Sequence, residues 1–194
     1  MNPLNNHRHS LILGVILALI LAFALGGPHL YQLGLARWFH IVAGVFWIGL
    51  LYYFNAAQTP AMADAAADKG GPGGAGITKY VVPRALFWFR WSALATWLGG
   101  AWLLSLQGKF VGAFTLQAGF VVIGIGAWLG TIMLLNVWGI IWPNQKKILG
   151  LKPATDEQKA KARKAAGMAS RVNFVLSIPM LMCMAAASHG LPLM

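Results

Sequence analysis

The sequence predicts an all-α membrane bundle of about five transmembrane helices. Three observations lead there. Apolar residues make up 58% of the 194-residue chain and charged residues only 10%, far below the roughly 25% charged content of soluble domains. The apolar residues gather in runs near the roughly 20 residues that cross a bilayer. The charges, net +11, fall mostly between those runs, as membrane orientation requires. The partner is therefore a lipid bilayer and not a nucleic acid. Cys183 is the single cysteine; it excludes an intrachain disulfide framework, a Cys-based zinc site and an iron–sulfur cluster. It reads as a packed apolar residue.

Residues 1–9 are polar, and the first span covers 10–27. Ala22-Phe23-Ala24 runs straight into Leu25, so the run reads as a retained helix and not a cleaved signal. The second span covers 35–54. Residues 55–84 connect it to the third, with a short surface helix at 64–68 and a flexible GGPGGAG link at 70–76. The third span covers 85–106. The fourth, 110–141, exceeds a bilayer's thickness and so tilts or projects; its Gly126 and Gly130 form a close-packing pair. Trp142-Pro143-Asn144 is expected to stop it. A basic loop at 144–171 carries a capping-box pattern from Thr155 to Gln158 that starts a short helix through Ala166. The fifth span covers 172–189 and is kinked at Pro179. No internal repeat is visible, and residues 1–194 read as one transmembrane domain.

The loop at 144–171 holds eight Lys and Arg residues. By the positive-inside rule it faces the cytoplasm, which predicts a bacterial inner-membrane protein with a cytoplasmic N-terminus and a periplasmic C-terminus. Arg37 and Lys109 are then the only basic residues outside. His29, His40 and His189 share that outer layer.

The second span, ARWFHIVAGVFWIGLLYYF from Ala36 to Phe54, organises the site. An ionisable group inside a span marks a functional position by default, and His40 is that group. Gly44, Trp47 and Leu51 follow on the same helix face, and Gly44 removes a side chain beneath the imidazole. Two histidines on different helices at one depth suit axial ligation of a haem or a shared metal site. His40 and His189 are the candidate metal ligands. Arg37 is placed to meet a propionate, and Trp38, Trp47, Trp97 and Trp102 to supply apolar walls. A third ligand at His29 would point to copper or zinc. Arg90, in the third span, either snorkels to the interface or binds an anion or a quinone headgroup. Asn136 is a candidate interhelical link.

Four stretches also resemble the membrane domain of the membrane-bound urate oxidase (urate hydroxylase) family. They are RWFHIVAGVFWIG at 37–49, PRALFWFRWSALATWLGG at 83–100, GTIMLLNVWGIIWPNQKKI at 130–148 and SRVNFVLSIPMLMCMAAASH at 170–189. Full-length members of that family join the membrane domain to a C-terminal cytochrome c domain and pass electrons from urate to the respiratory chain, so the resemblance implies a redox membrane protein, and it singles out His40 and His189. Where long members carry acidic residues, this chain has Gln58 and Ser92, and Arg90 replaces a Lys. No CxxCH motif occurs, so a short stand-alone member is expected. The reading that follows is a membrane redox protein binding haem b through His40 and His189, with Arg37, Gly44 and Trp47 around it. It moves electrons alone, as a homo-oligomer, or with a periplasmic cytochrome c or a larger membrane complex. Two alternatives stay open: a redox-silent accessory subunit, and a urate-oxidising enzyme served by a separate cytochrome c.

Overall fold

A computed structural model describes residues 2–193, which are helical apart from short turns and contain no strand. The chain divides after Leu35 into two compact units. In the first, Asn6 caps α1 (His7–Gly26), its side chain accepting from the Arg8 N–H at 2.9 Å. None of the residues of α1 is buried. A helix apolar on every side suits lipid.

The second unit holds most of α2 (Gln32–Tyr53), then α3 (Thr59–Ala67), α4 (Val82–Leu106), α5 (Phe110–Phe114), α6 (Val121–Leu135), α7 (Trp142–Ile148) and α8 (Asp156–His189). By length and composition, α1, α2–α3, α6–α7 and α8 can each cross a membrane. At 25 residues α4 has the length as well, but four Trp and two Arg dilute its hydropathy. The core gathers Trp47, Leu51, Phe89, Met133 and Val137 from α2, α4 and α6 with its continuation, and Cys183 is buried as a free thiol.

Three prolines leave the same mark. Pro lacks an N–H, and its ring crowds the carbonyl four residues back. At each, the helix widens into a π turn just upstream: Phe54–Gln58 before Pro60, Ile77–Val81 before Pro83 and Asn136–Ile141 before Pro143. The residue preceding each proline bonds five back, Thr59 to Phe54, Val82 to Ile77 and Trp142 to Val137. The helix passes each proline without ending. The expectation that Trp142-Pro143-Asn144 stops the fourth span is therefore corrected: the helix continues to Ile148. Likewise α2 runs through its π turn into α3, in place of a loop from 55.

Two further boundaries differ from the sequence reading. The run at 110–141 is not one helix. After α5 the chain turns, with Gln117 N–H bonding to Gly112 O at 2.9 Å, Leu116 at φ 52° and Gly119 at φ 85°. A left-handed backbone favours glycine, and Gly119 lets α5 fold back against α6. At the other end, the short helix from Thr155 and the fifth span are one helix, α8. The capping box at Thr155 and Gln158 starts it. Pro179 lies inside it.

Candidate functional site

The helices of the second unit alternate in direction, so the start of α2, the end of α4, the start of α6 and the end of α8 meet at one end. A cavity of about 950 Å³ opens between them, at the upper end of the roughly 300–1,000 Å³ typical of ligand sites. Its volume comes from small residues. Gly44 and Gly49 line it from α2, Gly100 and Ala101 from α4, Ala127 and Gly130 from α6, and Ala185 to Ser188 from α8. Arg37, His40, Gly44, Trp47 and His189 all line this one cavity. From Arg37 to Trp47 is ten residues of helix, about 15 Å. The lining is cationic at its mouth and apolar at depth.

His40 is held from two sides. Its Nδ1 lies 2.8 Å from the Thr96 carbonyl oxygen of α4. As donor there, Nδ1–H fixes the tautomer that leaves Nε2 as the coordinating nitrogen. Against the ring packs Gly100, where a Cβ would lie 2.9 Å from His40 Cε1 and 3.1 Å from Nδ1. At Gly99 a Cβ would come 3.2 Å from the His40 Cα. The Gly99–Gly100 pair is therefore what lets the imidazole reach α4. By contrast, a Cβ at Gly44 would meet only the Thr96 methyl at 3.6 Å, an ordinary contact. Gly44 borders the cavity but does not seat the ring.

His189 is the last residue of α8 and is exposed at the cavity mouth. Beside it the lining adds Gln107 and Lys109. Lys109 sits after the tight turn at Gly108, φ 67°, and gives the mouth a second cation besides Arg37. Its placement between spans three and four was legible; its convergence with Arg37 was not. Trp47 is buried to 2% exposure, and its Nε1 has no partner among the described residues. Trp97 donates Nε1–H to Thr131 at 2.9 Å, which ties α4 to α6 along the wall.

The expected Gly126–Gly130 pair splits its work. A Cβ at Gly126 would lie 3.0 Å from the Cys183 Cβ, so it serves the α6–α8 approach, whereas Gly130 meets nothing within 4 Å and lines the cavity. Among the described residues no group of three His, Cys, Asp or Glu side chains gathers. No carboxylate lines the cavity.

The family described as urate oxidase N-terminal matches residues 29–111 and 107–193. No curated protein and no solved structure matches the chain.

Proposed function

The chain belongs to the urate oxidase N-terminal family, and from that premise we propose that it is a membrane redox protein whose cavity holds haem b. The observation that carries this is the convergence of His40 and His189, from the first and last long helices of the unit, on one cavity with a cationic rim. The residues fit such a group. His40 is oriented through Nδ1 and keeps Nε2 for iron, the Gly99–Gly100 surface accepts the imidazole, and Arg37 with Lys109 matches two carboxylates. When bound, the haem supplies a one-electron couple. The chain's own part would be to hold it: His40 and His189 through their imidazole nitrogens, Trp47, Trp97 and the apolar walls by excluding water, and the Thr96 carbonyl by keeping the His40 tautomer constant. Ligand identity and burial then set the potential.

By the distribution of Lys and Arg the cavity end lies on the periplasmic side of a bacterial inner membrane, where a cytochrome c can exchange electrons with it. In this reading both cavity imidazoles are taken by iron and no carboxylate lines the cavity, which leaves urate oxidation by this chain alone without a free proton acceptor.

The test is an absorption spectrum of detergent-purified protein, oxidised and then reduced with dithionite. A low-spin, six-coordinate haem spectrum is expected. His40→Ala and His189→Ala should each give a high-spin spectrum or loss of haem. Wild-type protein without a Soret band, or variants with an unchanged low-spin spectrum, would overturn the reading.

A further inference from the structure

At the opposite end of the bundle from the cavity, α4 and α7 bring two cations onto one indole. The guanidinium carbon of Arg90 lies 3.9 Å from the Trp142 ring centroid and 5.3 Å from that of Phe87. Lys146 Nζ lies 5.9 Å from the same Trp142 ring. Arg90 makes one long hydrogen bond, Nη1 to Leu86 O at 3.4 Å, although a guanidinium has five N–H donors. The chain has four acidic residues, and none is near enough to help. Asp156 and Glu157 pair with Lys159 and Lys161 at 3.5 and 2.8 Å. Asp64 and Asp68 belong to α3 and its end, and the latter accepts from Gly70 N–H.

We propose that Arg90, Trp142 and Lys146 form a binding site for the phosphate group of an anionic phospholipid. Two like charges beside one ring repel, and a phosphate bound next to them offsets that repulsion. A phosphate oxygen pair also matches the guanidinium fork that the chain leaves unfilled. Inorganic phosphate offers the same chemistry, but the surroundings select the lipid. Arg90 stands among Leu86, Phe87, Phe89 and Trp91 in a helix long enough to cross the bilayer, and Trp142 has the amphipathic ring that settles at headgroup level. A zwitterionic lipid brings an ammonium group that the two cations repel. The site is independent of the haem reading.

The experiment reconstitutes the whole chain in an equimolar mixture of phosphatidylglycerol and phosphatidylcholine and counts retained lipid by native mass spectrometry. Wild-type protein should retain phosphatidylglycerol preferentially. Arg90→Gln and Lys146→Gln should each weaken retention by about tenfold, the loss of a charge-assisted hydrogen bond. Arg163→Gln, the same charge change at an exposed position of α8, should leave it unchanged. Far-UV circular dichroism checks that each variant folds; if Arg90→Gln does not, Lys146→Gln decides. Equal retention in the wild type and the folded variants overturns the proposal. Displacement of the lipid by inorganic phosphate also overturns it, in favour of a free anion.

Discussion

The two ends of the 36–193 bundle are built from the same four long helices, yet one is hollow and the other is filled. At the filled end, polar side chains stitch helix to helix. Asn173, fully buried, accepts from Asn136 Nδ2 and donates to Met133 O, both at 2.9 Å. Asn55 donates to Ser170 at 3.0 Å across the α2 π turn and α8. The hydroxyls of Tyr52 and Ser177 are 3.2 Å apart, with Phe174 edge-on to Tyr52. Phe54 and Phe89 stack edge to face at 5.4 Å. At the hollow end glycine and alanine make up much of the wall, and the cross-links are His40 with Thr96, Trp97 with Thr131 and Trp128 with the Phe114 carbonyl of α5. Apolar contact with a neighbouring helix gains little over contact with lipid, so membrane helices associate through close packing and interhelical hydrogen bonds. A bundle that concentrates both at one end can keep the other end open for a ligand.

The largest expected effect tests the filled end. Phe89→Ala removes a ring that is 2% exposed and should cost about 3–5 kcal/mol. Thermal unfolding in detergent should show it, and an unchanged midpoint would mean that stability is not concentrated there. At the hollow end, Gly100→Val drives a side chain into the His40 ring. Overpacking of this kind costs about 1–3 kcal/mol, but the larger consequence is a displaced imidazole, read as loss of the low-spin haem signature without loss of helix. A variant that keeps the wild-type spectrum would show that Gly100 does not seat His40. The smallest effect separates the two glycines. Gly44→Ala places its methyl in ordinary contact with Thr96 and should change stability by less than about 0.5 kcal/mol and leave the spectrum intact. Should it instead abolish binding, the imidazole would depend on Gly44 after all.

The bodies of the first three spans, the lone buried cysteine, the capping box that starts α8 and the pairing role of Asn136 were legible from residue type and spacing alone; the break in the fourth span, the helical stretch after 55 and the full extent of α8 were not. Helical periodicity also puts Arg37, His40, Gly44 and Trp47 on one face and the alternation of spans puts His189 at the same end, and all five are among the residues that line the cavity. Each of these depends on short-range rules: run length, cap chemistry, and the period of 3.6. Other features needed the folded chain. Whether Pro143 ends a helix or widens it depends on whether a π turn can form upstream, which hydropathy does not report. That Gly100 and not Gly44 meets the imidazole, and that Trp142 lies beneath Arg90, are facts about which helix approaches which, and at what height. Sequence periodicity names a face; only packing names what the face touches.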